Sequence, residues 1–200
     1  METIKNTTQL ENLNLSEDVQ EQLENFGLKP EQITGDVLDI GAGEGEFAKN
    51  FKNKDGVKIV SIDKFVEEDE NSEVIVCDVR ELPFDDEAFD LVLSHASIPN
   101  VFINMYSEEF SEVSKREMKK ALDKTFNQII RVLKPGGEIR LSPIRIAENY
   151  ESEKTMKVLI VDLIKDLQDQ GLNVSLQYLK TTQNPKNNEK SDSYRMIIKK

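Results

Sequence analysis

The sequence predicts an α/β domain of alternating strands and helices, and three observations predict it. Short apolar runs recur at "DVLDIG", "VKIVSID", "EVIVCD", "FDLVLSH" and "GEIRLSP". Each is β-branched or leucine-rich and several end in Asp, Ser or His; such continuous apolar runs suit parallel strands covered on both faces. Amphipathic helical stretches separate the later runs. No internal repeat, low-complexity linker or break in composition divides the 200 residues, so a single domain over residues 1–200 is the economical reading.

The elements follow in chain order. Ser16 to Phe26 predicts a helix: Ser16 suits an N-cap, Glu17 and Asp18 stand where the helix dipole favours acids, and Val19, Leu23 and Phe26 share a face. Gly27 and Pro30 end it. "DVLDIG" and the helical stretch around Phe47, Ala48 and Phe51 then read as strand, tight turn, helix. Between Ser107 and Leu133 the apolar positions Phe110, Val113, Met118, Leu122, Phe126 and Ile129 keep a three-or-four spacing, and "KPGG" ends the helix. From Ser152 to Gln170, Met156, Leu159, Ile160, Leu163 and Leu167 make a second stripe, closed by Gly171. Two alternating strands finish the chain, one through Val174, Leu176 and Tyr178 and one through Tyr194, Met196 and Ile198, joined by a polar loop around "TQNPKNNEKSD".

Composition excludes several functions. A chain of this length buries roughly 70% of the surface it exposes unfolded, so its core needs neither disulfides nor metal. Cys77 is the only cysteine and His95 the only histidine, which removes zinc sites of the usual Cys/His kind; no metal is expected. No run approaches the 18 or so apolar residues of a membrane span, and the N-terminus lacks a signal peptide's basic head and apolar run. Cytoplasmic residence without a membrane partner is therefore expected. The formal net charge of -12 disfavours nucleic acid as a general partner.

The informative segment is "VLDIGAGEGEF", Val37 to Phe47. Glycines at 41, 43 and 45, after a strand and before a helix, allow a sharp turn and a ligand lying against the backbone. The spacing is G-x-G-x-G, with Glu46 where a dinucleotide fingerprint has its third glycine. Asp39, Glu44 and Glu46 place three carboxylates at that helix start. One carboxylate roughly 6 Å from a phosphate charge costs about 3 kcal/mol at an effective dielectric of about 20. A pyrophosphate is thus a poor guest, and a ligand carrying positive charge beside an adenosine a good one.

These residues resemble the class I S-adenosylmethionine-dependent methyltransferases, from about Asp36 to the C-terminus. "VLDIGAGEG" is similar to the family's first motif, "IVSID" to its second strand and terminal acid, and "CDVRELPF" to the end of its third strand. "FDLVLSHA" is similar to the fourth strand and "RVLKPGGEIRLS" to the fifth with the preceding helix end. The resemblance implies a three-layer Rossmann-like sandwich with a mostly parallel seven-stranded sheet, its last strand antiparallel, and residues 1–35 as an N-terminal helical extension. It implies S-adenosyl-L-methionine as cofactor. Asp39 would orient the methionine ammonium, Gly41, Ala42 and Gly43 would lie against the cofactor, and Asp63 would accept the ribose hydroxyls. Asp78 would accept from the adenine amino group with Val79 beside it, and Ser94 and His95 would flank the methionine part. Asp90 reads as a structural residue at a strand start and Cys77 as a small core residue.

Two departures from the family matter. Only ten residues, "KFVEEDENSE", separate Asp63 from Val74, too few and too polar for a buried helix. The helix between the second and third strands is therefore expected to be shortened or absent, with Phe65 and Val66 filling part of the gap. The segment "SHASIPNVF" lacks the Asn/Asp-Pro-Pro-aromatic element of amino methyltransferases acting on adenine or glutamine amides. A small-molecule acceptor is expected, with a catalytically silent cofactor-binding module, or a protein or RNA acceptor, as alternatives. His95 is the candidate general base, since its unperturbed pKa suits the task; Tyr106, on the approach to the long helix, is a weaker one. The charge is polarised: residues 63 to 90 hold twelve acids and two bases, whereas Lys115 to Arg145 holds nine bases and three acids.

Overall fold

In the computed structural model, which describes residues 14–67, 72–105, 112–148, 150–183 and 189–200, seven strands build one sheet. They are β1 (Gly35–Ile40), β2 (Val57–Asp63), β3 (Val74–Val76), β4 (Phe89–His95), β5 (Leu133–Ala147), β6 (Asn173–Gln183) and β7 (Lys190–Lys199). Their order across the sheet is β3-β2-β1-β4-β5-β7-β6. β1 lies between β2 and β4 and is parallel to both; β3 and β5 extend the parallel set, and β7 runs antiparallel to β5 and β6. The expected sheet, with its antiparallel last strand, is present.

Helices α1 (Glu17–Phe26), α2 (Glu46–Phe51), α3 (Asn100–Met105), α4 (Glu112–Val132) and α5 (Glu151–Asp169) cover both faces. The twofold alternation of strands decides which residues meet which helices. Val37, Leu91 and Leu93 bury against Val19, Leu23 and Phe26 of α1 and Phe47 and Phe51 of α2. Leu38, Val92, Ile139 and Leu141 face the other way, onto Met118, Leu122 and Phe126 of α4 and Met156, Ile160 and Leu163 of α5. Phe110 and Val113, placed on the α4 stripe from sequence, lie outside the residues whose side chains are described.

α1 ends in a Schellman turn. Gly27 sits at φ 63°, the Gly27 N–H donates to Glu24 O at 2.9 Å and the Leu28 N–H to Leu23 O at 2.9 Å. Its last carbonyls are also held from the sheet. Arg140 Nη1 on β5 donates to Phe26 O at 2.7 Å, and Arg195 Nη1 on β7 donates to Asn25 O at 3.2 Å. Two cations thus complement the negative end of the helix dipole. At the other end the Ser16 hydroxyl makes no capping bond; its backbone N–H instead donates to Asn50 Oδ1 on α2 at 2.8 Å.

Between β2 and β3 no helix occurs among the described residues. Phe65 does not fill the gap: it is 71% exposed, with the Lys64 ammonium 5.9 Å from its ring centre. Ile75 and Val76 of the short edge strand are exposed as well, so that end of the sheet is thinly covered. α4 ends at Val132, and Lys134 to Gly137 bulge out between the Phe89–Leu133 and Leu91–Glu138 pairs. β5 runs past the expected "GEIRLSP", with Pro143 inside a register shift against β7, where a residue lacking an N–H is tolerated. Asp90 is structural: it accepts from the Asp36 N–H and from Lys134 Nζ, each at 2.8 Å, and Lys134 lowers its pKa.

Gly27→Ala tests the helix stop. A Cβ there would lie 1.9 Å from Arg195 Nη1 and would hold an L side chain at φ +63°. The expected loss is about 1–2 kcal/mol, read in thermal unfolding as a fall in Tm of about 3–6 °C.

Candidate functional site

The parallel strands end at one edge of the sheet, and the residues that follow them enclose a cavity of about 280 Å³. Gly41 follows β1, Asp63 ends β2, Asp78 and Val79 follow β3, and His95 ends β4; all line the cavity. Ile62, Ile98, Val101 and Phe102 supply an apolar wall, the last two from α3. An open cleft of about 820 Å³ adjoins it, lined by Gly43, Glu44, Lys49, Glu73 and others, with Phe65 bordering both.

The three glycines of the turn have positive φ for different neighbours. At Gly41 a Cβ would meet Ser97, and at Gly45 Val74; at Gly43, φ +54°, nothing lies within 4 Å. Gly43 alone therefore leaves open space over the backbone, while its flanking glycines let the chain approach itself. The turn is pinned to β2: Gly41 N–H and Ala42 N–H both donate to Ile62 O, at 2.9 and 3.1 Å.

The three predicted acids stand in different surroundings. Asp39 is 4% exposed and its carboxylate makes no hydrogen bond among the described residues. Burial first, and then the charge of Asp63, push its pKa up to about 7. Asp63 accepts from the Gly43 N–H at 3.0 Å with one oxygen and from the Phe65 N–H at 2.7 Å with the other, which aims the carboxylate and leaves it lone pairs. Asp78 is fully engaged. Oδ1 accepts from the Arg80 N–H at 3.0 Å and Arg80 Nε at 2.9 Å; Oδ2 accepts from Arg80 Nη2 at 2.6 Å and Lys64 Nζ at 2.8 Å. Its four acceptor sites are filled, and those bonds hold its pKa well below the usual carboxylate range.

Ser94 is completely buried and its Oγ accepts from the Ile98 N–H at 3.3 Å, so it holds the turn after β4 and does not line the cavity. His95 does line it; burial lowers the imidazole pKa. Cys77 is half-buried on the cavity wall, with its thiol pKa raised by burial and by Asp78 and Glu81, which keeps it protonated and a poor nucleophile. Tyr106 lies outside the described residues. Sequence reasoning did not single out Arg80, Ser97, Phe102 or Asn25. The first three carry no local signal, and Asn25, whose side chain meets His95, is 70 residues away from it.

The donor set fits a cationic cofactor bearing an adenosine. A buried, unpartnered carboxylate under the turn suits an ammonium; the pre-aimed Asp63 suits vicinal hydroxyls, and the apolar wall suits a flat base.

Residues 38–141 match the family described as a methyltransferase domain. An uncharacterized protein of Methanocaldococcus jannaschii is 33% identical over 124 residues, 60% of this chain and 52% of the relative, so the chain spans about half of that relative's length. Among solved structures, phosphoethanolamine N-methyltransferase 2 of Haemonchus contortus, in complex with phosphomonomethylethanolamine and S-adenosylhomocysteine, is similar with a TM-score of 0.57. The identity is 17%, over 92% of this chain and 52% of that one. An S-adenosylmethionine-dependent methyltransferase of Methanosarcina mazei is similar with a TM-score of 0.55 at 16% identity, over 93% of this chain and 98% of that one. Identities this low speak to the fold alone, which they share with the strand order and layers described above. With the family match spanning more than half of its length, the chain belongs to the class I S-adenosylmethionine-dependent methyltransferase family.

Proposed function

We propose that the chain transfers the methyl group of S-adenosylmethionine to a small-molecule acceptor. The observation that carries the cofactor half is the pair of carboxylates, Asp39 buried without a partner and Asp63 aimed by two backbone N–H groups. When bound, the cofactor supplies an electrophilic methyl on a sulfonium that departs as a neutral thioether. Asp39 would pair with its ammonium and Asp63 with the ribose hydroxyls. Gly41, Ala42 and Gly43 would lie along the cofactor, with open space over the backbone at Gly43. With Asp78 saturated by Arg80 and Lys64, Val79 is the better candidate for the adenine contact. Ser94 would act by shaping the turn that carries His95. Ile98, Val101 and Phe102 line the cavity with apolar surface that would help exclude water, and catalysis would come mainly from holding an acceptor in line with the methyl.

The small-molecule half is supported by the sequence's acidic stretch, twelve acids and two bases over residues 63 to 90, which disfavours a phosphate backbone as partner. Four of the bases of α4 are already paired, Lys119 with Asp123, Lys120 with Glu117, Lys124 with Glu81 and Arg131 with Asp86. The similar H. contortus enzyme was solved with a small molecule, phosphomonomethylethanolamine. Incubating cell extract with methyl-labelled cofactor tests the reading. Label in metabolite-sized material is expected, label in protein or RNA would transfer the assignment to a macromolecular acceptor, and cofactor binding without labelling would leave a silent binding module.

Calorimetry tests the cofactor site. Asp63→Ala removes charged hydrogen bonding worth about 1.5–3 kcal/mol in all, so the affinity for S-adenosylmethionine should fall about tenfold to a hundredfold; unchanged binding would overturn the assignment.

Asp39 makes a pH prediction whose sign is fixed by its raised pKa. Below about pH 3.8 the carboxyl is protonated folded and unfolded; between 3.8 and about 7 only the folded state keeps the proton. Stability is therefore lost as pH rises through this window, by up to about 4 kcal/mol. Without cofactor, Asp39→Asn should melt at the wild-type temperature near pH 4 and progressively higher than wild type up to pH 7, with a constant gap above. Binding an ammonium requires the ionised carboxylate, so wild-type cofactor affinity should weaken by up to about tenfold per pH unit below 7. In Asp39→Asn it should be weak and flat across that range, as titration calorimetry at several pH values would read.

A further inference from the structure

His95 is held from outside the sheet. Its Nε2 lies 3.0 Å from Asn25 Nδ2 on α1, and the Phe26 ring meets the imidazole edge-on, centroids 5.8 Å apart at 76°. A carboxamide nitrogen can only donate, so Nε2 is the accepting, unprotonated nitrogen and a neutral ring then carries its proton on Nδ1. Burial disfavours a second proton, against the opposing pull of Glu21 on α1. Arg140 from β5 and Arg195 from β7 are the cations at this helix end, where they hold the carbonyls of Phe26 and Asn25. Asn25 is thus presented by a pinned element. Among the described residues Nδ1 makes no hydrogen bond, while His95 borders the cavity; a half-buried N–H without a partner favours a ligand that accepts from it.

We propose that Asn25 is a positioning residue that locks His95 as the Nδ1–H tautomer, so that the imidazole offers the cavity a hydrogen-bond donor and not a base. Its functional meaning rests on the methyl-transfer reading; the tautomer itself does not. It defines an acceptor class: a molecule with a carboxylate, carbonyl or phosphate oxygen to accept from His95, beside a nucleophile that is already unprotonated. A hydroxyl needing deprotonation would find no base in this ring.

The chain has one histidine, so its tautomer is directly readable in long-range ¹H–¹⁵N spectra of the ¹⁵N-histidine-labelled whole chain at pH 8. The protonated-type resonance is expected on Nδ1. In Asn25→Asp, whose carboxylate only accepts, it should move to Nε2; in Asn25→Leu it should spread over both nitrogens as in free histidine. A wild-type spectrum with the proton on Nε2, or one unmoved in both variants, overturns the proposal, and the wild-type spectrum decides even if a variant fails to fold. In the labelled-extract assay His95→Asn, whose amide donates from near the Nδ1 position, should keep incorporation within about threefold, while His95→Ala should lose at least about tenfold. Equal loss in both would restore His95 as a base and overturn the donor role. No incorporation by the wild type would sink the methyl-transfer reading instead, leaving the tautomer result to stand on its own.

Discussion

The site depends on the reversal of strand order beside β1. From β1 the sheet grows outward through β2 to β3 on one side and through β4 to β5 on the other, so the connections leaving the C-terminal ends of β1 and β4 diverge and open a crevice between them. Gly41 and His95 are the first residues on its two banks, and Asp63 and Asp78 follow at the ends of neighbouring strands. The contributing residues span more than fifty positions of sequence, yet parallel pairing in register brings them to one edge without further adjustment.

At that edge, carboxylates of similar sequence context acquire different chemistry from different burial. Asp39 is buried and is pushed towards its neutral form; Asp63 accepts from two backbone N–H groups that aim it; Asp78 is tied into an ion cluster with Arg80 and Lys64. Of the three, Asp63 and Asp78 line the cavity and Asp39 lies buried behind that lining, so Asp63 is the carboxylate left open to a ligand while Asp78 is already neutralised. The acidic stretch from residue 63 to 90 is thereby less anionic at the cavity than its composition suggests, because its two bases, Lys64 and Arg80, both sit on Asp78.

Helix α1 links the far side of the sheet to this chemistry. α1 is held by the burial of Val19, Leu23 and Phe26, by the left-handed turn at Gly27, and by two arginines reaching from β5 and β7. Those restraints converge on the turn of helix that carries Asn25 to His95. What the family resemblance presents as an extension ahead of the methyltransferase segment includes, in α1, one support of the cavity's histidine.

Much of the fold was legible in the sequence because it rests on local rules. Twofold and three-or-four spacing mark strands and helices, Gly27 and Gly171 mark their stops, and the short acidic link from Lys64 to Glu73 excludes a buried helix there. The glycine turn with Asp39, followed by Asp63 at the next strand end, was legible for the same reason: each lies within a motif whose spacing reflects one strand, one turn and one helix. The state of each site residue was not. That Asp39 is unpartnered, that Asp78 is saturated, that Ser94 faces its own turn, and that Phe65 lies out in solvent depend on side chains brought together from distant positions. The sequence alone determined which strands end in acids, glycines and a histidine. Only the tertiary structure decided which of those groups remain available to a ligand, because availability depends on burial and on partners as far away as Asn25 from His95.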